Sequence, residues 1–460
     1  DFSRCGFELG GSSFAQIRSS IGTKTPDIQD ANYFAKAFNA IQDLIEKQRI
    51  LAGHDISDGG LITALFEMMF PNNYIGLNVD LSVFEERDLV KILFSEKPAV
   101  LIQVKGSDVL TMLKDAGIDA YRIATITKQP KLLITKGTHI HSFDLFEYRD
   151  LWFESSYLLD IHQSGEQLAT ARYDNYKNQE LRYRFNPEFT GSLASLGLSR
   201  TRPEKTGIRA AIIREKGVNC DRETAYTLWL AGFDVIDVHI TDLISGRADL
   251  SDVNMIVFVG GFSNSDVLGS AKGWAGAFLY NPKAKEALDN FYKRDDTLSL
   301  GICNGCQLMV ELGLIYPQQL KRPKMAHNDS HKHESSFINV DILENNSVML
   351  SSLAYNRLGV WISHGEGKFI LPYDESEYNI PVKYSYSAYP GNPNGSKFNA
   401  AAICSHDGRH LAIMPHPERS LFPWHWAYYE PTRPNDEVSP WMEAFVNARQ
   451  WIEKNRHPEL

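Results

Sequence analysis

Long apolar runs are missing from this chain of 460 residues. The longest, such as MIVFVGG at 255–261, are strand-sized, and none approaches the ~20 residues that a membrane span requires. Positive charge is also short. Lys and Arg number 47 against 57 Asp and Glu, and a net charge of −10 argues against a nucleic-acid surface, which would want a basic stripe. Cysteine is sparse: five residues, an odd number without framework spacing, exclude a disulfide scaffold and point to free thiols in a reducing, cytoplasmic setting. No signal peptide, internal repeat or low-complexity tract is found. What is present is 43% apolar and 23% charged, an ordinary globular composition, and the length allows about three domains at ~150 residues each. The chain opens at Asp1 in mid-pattern, DFSRCGFELGG, as a piece of something longer would.

Two breaks in pattern divide it. Over 1–137 helix and strand signals mix. SDGGLITALFEMMF (57–70) carries apolar residues at helical spacing behind a Ser/Asp cap, and IGLNVDL, AVLIQVK, YRIATIT and KLLITK read as strands. That is an α+β layer domain. Residues 138–206 read as a polar, aromatic-rich connector, helical over 142–160 and then linker. From 207 to 460 strand and helix alternate: IRAAIIR, helix RETAYTLWLAG, FDVIDVHI, MIVFVGG, helix 274–292, TLSLGIC, helix NGCQLMVELG. This alternation predicts an α/β fold, a doubly wound, mostly parallel sheet with helices on both faces.

LGICNGCQLM (300–309) places two cysteines three apart where a strand meets a helix. Cys303 and Cys306 can be read as a redox pair, as half a zinc site, or as a nucleophile and a bystander. A zinc site needs a second ligand pair, and no other C-x-x-C exists; His327, His331 and His333 in HNDSHKH more often belong to a solvated loop. As a nucleophile, Cys303 would stand at the sheet's carboxyl edge, where a helix N-terminus favours thiolate and oxyanion alike. It needs a base. AIMPHPERS (412–420) offers His416 between two prolines, with Glu418 two positions on and on the same face if the segment stays extended. VGGFSNSDVLGS (259–270) offers an oxyanion donor near Gly261 or Phe262, against the plainer reading of a flexible loop.

Together these segments resemble the class I glutamine amidotransferase domain, with Cys303, His416 and Glu418 as its triad. With SHGEG (363–367), YPGNPNGS (389–396) and SPWMEAFVNAR (439–449), and with ELGGSSFAQI (8–17) and HDISDGGL (54–61) in front, the chain resembles the large, single-chain phosphoribosylformylglycinamidine synthases of purine biosynthesis. The resemblance runs over essentially all 460 residues and concerns the carboxyl-terminal part of that family. It implies a flavodoxin-like glutaminase fold behind the last part of a second, AIR synthase-like synthetase half, with the first synthetase half missing upstream. It implies attack of the Cys303 thiolate on glutamine, a γ-glutamyl thioester, and ammonia passed internally to an ATP- and formylglycinamide ribonucleotide-binding site. Asn304, Gln307, His364 and Glu366 would line the oxyanion and glutamine pocket. Asp55 matches a ligand of a structural Mg²⁺–ADP site, incomplete because its other ligands lie upstream; helix capping by Ser57 or Asp58 is the plainer reading of that motif. The implied enzyme is monomeric, with weak glutaminase activity in this part alone. Asn264, Ser265 and HNDSHKH depart from the family pattern. Two rivals share the same elbow: a Cys–His peptidase and a scaffold with a silent triad.

Overall fold

The computed structural model describes residues 1–202 and 204–456. They form two compact units, Asp1–Ser156 and Tyr157–Leu460. Among the described residues no helix is long and apolar enough to cross a membrane.

The first unit is an α+β assembly. Its four-stranded sheet runs in the order Ala124–Thr127, Gly76–Asp80, Lys131–Lys136, His139–Asp144, and Ile50–Ile56 pairs separately and antiparallel with Ala99–Val104. Helix Gly60–Met69 lays Leu61, Leu65 and Met69 into a core with Leu81, Leu132 and Ile134, the burial its apolar spacing calls for. Strand His139–Asp144 lies in the segment read as connector. Its HIHSFD sequence is exposed over four of six positions, an edge strand with too little apolar content to be recognised. A cavity of about 1610 Å³ opens in this unit, lined by Phe7, Phe84, Lys97 and Arg122 among others. It holds none of the candidate catalytic side chains.

The second unit is built on a nine-stranded sheet. Its strands, in chain order, are β1 (Arg209–Arg214), β2 (Asp234–His239), β3 (Met255–Phe258), β4 (Leu298–Ile302), β5 (Glu334–Ile342), β6 (Arg357–His364), β7 (Asn379–Tyr384), β8 (Ala400–Cys404) and β9 (His410–Ile413). They lie in the order β6-β5-β7-β8-β9-β4-β3-β1-β2. Neighbours from β9 to β2 run parallel, as the strand–helix alternation predicts; β5 to β8 add an antiparallel wing. The parallel strands β3 and β4 are buried at every position, which explains their unbroken apolar reading. Helix α1 (Asp221–Ala231) follows β1, and α2 (Asn304–Glu311) follows β4.

One expected helix is two. The 274–292 segment breaks into Lys272–Leu279 and Pro282–Lys293, because Pro282 has no N–H to continue a helix and instead starts one behind the Asn281 cap.

Candidate active site

Strands β3, β4 and β9 are adjacent and parallel, so the residues that follow each emerge at the same sheet edge. Gly260 and Gly261 follow β3, Cys303 follows β4, and His416 follows β9. The sequence spreads these groups over 157 positions; the topology brings them together. A Cβ placed on Gly260 would lie 3.0 Å from His416 Cε1, 3.2 Å from Cys220 Sγ and 3.4 Å from Cys303 Cβ, so all three side chains converge on this glycine.

Cys303 is the residue before α2, with φ 51° and ψ −104°. A non-glycine residue in this region is strained, and the surrounding structure must hold it there. Two contacts do so. The Cys303 N–H donates to Ile413 O at 2.9 Å, and Gly305 packs so tightly that an added Cβ would lie 1.9 Å from Phe258 O. The thiol points toward Ser363 O, 3.4 Å away, at the end of β6. Cys306, two residues into α2, is fully buried, and burial first, then Cys303, pushes its thiol far above the ordinary range. It is the bystander.

His416 is fixed from the backbone by its N–H to Trp361 O at 2.8 Å. Its Nδ1 lies 2.7 Å from Glu418 Oε1, and both side chains are buried. The pair is made by a 3₁₀ turn over Pro417–Arg419 rather than by the extended segment expected, since two prolines flanking the histidine admit a tight turn equally well. Burial, the strongest influence, pulls the imidazole down. The Glu418 carboxylate, with the Cys220 and Cys303 thiols, outweighs it and holds His416 well above the usual imidazole range. Nε2 is buried with no hydrogen-bond partner.

Of the two oxyanion donors proposed after β3, one is taken. The Phe262 amide donates to Gly217 O at 2.9 Å, so the Phe262 expectation is corrected. Gly261 pairs with Val218 across an isolated antiparallel bridge, and Asn304 is the first residue of α2, directly after Cys303. Asn304 and Gln307 form a buried polar chain. Asn304 Oδ1 accepts from Ser263 N at 3.2 Å, its amide donates to Gln307 Oε1 at 2.9 Å, and Gln307 Nε2 donates to Glu366 O at 2.8 Å. The Glu366 carboxylate accepts from Ser270 N at 3.3 Å. His364 is buried at the end of β6, with Nε2 accepting from Asn394 Nδ2 at 3.1 Å and Nδ1 unpartnered. Burial first, then His416 and His333, hold it at about 3. Residues 263–266 include Asn264, Ser265 and Asp266 in succession at positive φ, so the two unusual residues of this loop carry a left-handed turn.

The HNDSHKH segment has more structure than a solvated loop, although its three histidines are exposed. Asn328 donates to Lys332 O and His364 O and accepts from Gly367 N, Lys332 pairs with Asp160 at 2.6 Å, and His333 Nε2 lies 2.9 Å from Ser363 Oγ. Cys220, at the start of α1, escaped the sequence reading altogether. Its Sγ lies 3.7 Å from His416 Nδ1, and burial first, then Glu418, pushes the thiol up to about 12. No motif flags it; only the fold brings it to the triad.

Asp55 lies on strand Ile50–Ile56 of the first unit. Its side chain is 71% exposed, with His54 Nδ1 at 3.6 Å. Among the described residues no group of three His, Cys, Asp or Glu ligand atoms gathers around it.

Residues 207–452 match the CobB/CobQ-like glutamine amidotransferase domain family, and residues 6–136 match the C-terminal domain of AIR synthase related proteins. The chain is 37% identical over 472 residues to the probable phosphoribosylformylglycinamidine synthase, chloroplastic/mitochondrial, of Arabidopsis thaliana, covering 97% of this chain and 33% of that protein. It is 38% identical over 480 residues to the phosphoribosylformylglycinamidine synthase of Homo sapiens, covering 96% and 35%. The chain therefore spans about a third of the length of the curated relatives it matches. With the family model covering more than half of its residues, this chain belongs to the CobB/CobQ-like glutamine amidotransferase domain family.

Proposed function

We propose that this chain supplies the glutamine-hydrolysing half of a phosphoribosylformylglycinamidine synthase. The observation that carries the reading is the convergence of Cys303 and His416 on Gly260, with Glu418 Oε1 2.7 Å from His416 Nδ1 and the cysteine held at a strained elbow. The Cys303 thiolate attacks the side-chain amide carbon of glutamine, forming the S–C bond while the C=O pair moves to oxygen. The amides of Gly261 and Asn304 receive that oxyanion. His416, protonated and oriented by Glu418, gives its Nε2 proton to the leaving nitrogen, and ammonia departs as the C–N bond breaks. Water, deprotonated by the same Nε2, then cleaves the γ-glutamyl thioester; glutamate leaves and the thiol is restored. The acidic end of the polar chain, Glu366, suits the α-ammonium of glutamine.

In the whole enzyme the ammonia is consumed unprotonated at the synthetase site. There ATP phosphorylates the amide oxygen of formylglycinamide ribonucleotide, and ammonia displaces phosphate to leave the amidine, ADP and phosphate. The AIR synthase-like match over 6–136 supports a synthetase neighbour for the glutaminase. A single chain is enough for the triad, in keeping with a monomer.

Alkylation by a glutamine-analogue diazoketone tests the reading. One adduct is expected, on residue 303, absent in Cys303→Ala and competed by glutamine. Labelling of Cys306, or labelling that glutamine does not compete, overturns it, and cleavage of a peptide in place of glutamine favours the peptidase alternative.

A further inference from the structure

Cys220 is a buried thiol that none of these steps uses, and it touches the base that all of them need. We propose that Cys220, His416 and Glu418 form a binding site for a thiophilic divalent cation of the zinc class, and that a cation bound there silences the triad. One ligand atom from each residue lies within 4.8 Å of the other two. Cys220 Sγ is 3.7 Å from His416 Nδ1, and Nδ1 is 2.7 Å from Glu418 Oε1. Tetrahedral zinc with ligands at ~2.3 Å (sulfur) and ~2.0 Å (nitrogen) spaces S and N by about 3.5 Å, so the side chains are nearly in place.

An independent observation points to a ligand. Glu418 is 1% exposed, yet its Oε2 has no hydrogen-bond partner, a costly state for a buried carboxylate oxygen. A cation beside Cys220 and Nδ1 would meet that need. Asn219, exposed next to Cys220, already accepts the thiol's hydrogen bond on Oδ1 at 2.9 Å and brings a further oxygen to the same place. The donor set of sulfur, imidazole nitrogen and carboxylate suits zinc and cobalt and not magnesium. Binding releases two protons to solvent, one from Cys220 Sγ and one from His416 Nδ1. The resulting thiolate and the carboxylate balance the dication. Glu418 then no longer orients His416, and Nδ1 is committed to the metal. The nearby Arg419 guanidinium, 3.4 Å from Asn219 Oδ1, is itself paired with Glu223 at 3.3 Å.

Cobalt(II) is the probe, because its thiolate charge-transfer band reports a Co–S bond whether or not glutamine is hydrolysed. The whole chain should bind one equivalent and show that band. Cys220→Ser should lose it, and Cys303→Ala should keep it. Cys220 sits at φ 67°, a conformation glycine adopts freely, so Cys220→Gly gives a second variant that fits the backbone if the serine form folds poorly. One equivalent of Zn²⁺ should slow diazoketone labelling of Cys303 by roughly tenfold or more in the parent, and leave each Cys220 variant at its own metal-free rate. Absence of the band from the parent, its survival in both Cys220 variants, or its loss in Cys303→Ala each overturns the proposal. The last outcome would place the metal on the nucleophile.

Discussion

At the scale of single residues, the site is a set of constraints on one imidazole and one thiol. Glu418 holds His416 through Nδ1, and Nε2 is left buried without a hydrogen-bond partner. Glu418→Gln preserves shape while removing the charge that raises His416. Diazoketone labelling of Cys303 should fall by about 10²–10⁴-fold, the range that loss of an orienting carboxylate or of general acid–base help produces, with little change in thermal stability. An unchanged rate would mean Glu418 is only a packed neighbour. Gly260 constrains the same pair by having no side chain. In Gly260→Ala the new methyl meets His416 Cε1 at 3.0 Å and Cys220 Sγ at 3.2 Å, closer than side chains tolerate without moving. The expected result is a folded protein whose Cys303 labels roughly tenfold or more slowly, since small displacements at a reacting pair are expensive.

Elements, rather than residues, decide that these groups meet. The parallel strands were legible because burial on both faces leaves unbroken apolar runs, and LSLGIC running into NGCQLM marks the elbow without help from the rest of the chain. The antiparallel wing was not, although β6 presents Ser363 O to the thiol and carries His364. Its strands pair by register over long separations, which no local period records. Cys220 was invisible for a related reason: it is close to His416 only because β1 and β9 end at the same edge. The elbow itself depends on helix α2 approaching β3 closely. A Cβ on Gly305 would sit 1.9 Å from Phe258 O, and that obstacle is backbone, which does not swing aside. Gly305→Ala should therefore lower stability by about 2–3 kcal/mol, the upper range for overpacking, and lower the thermal midpoint measured calorimetrically. A midpoint equal to the parent's would show that α2 can slide without cost, and the rigid elbow would lose its basis.

At the scale of the whole second unit, buried titratable groups tie stability to pH. His364 is held at about 3 and His410 at about 4, in both cases chiefly by burial, against 6.5 for a free imidazole. Both are neutral in the fold and take up protons in the unfolded chain below about 6.5, so the unfolded state binds more protons and stability falls on acidification. Glu443 works the other way: burial raises it to about 7 from 4.5, so between those values the fold holds the proton more tightly and stability rises as pH drops. His416, raised in the fold, loses its contribution only above the ordinary imidazole range and is silent here. Two histidines against one carboxyl leave a net loss between pH 6.5 and 5, with each histidine worth about 2 kcal/mol at the lower end. Denaturant titrations of the parent over that window should show the midpoint falling with pH. Glu443→Gln removes the opposing group and should steepen the fall, while His410→Asn, which lacks an imidazole to protonate, should flatten it. A midpoint that rises on acidification in the parent, or a slope indifferent to both substitutions, would show that these groups are not buried as the fold places them.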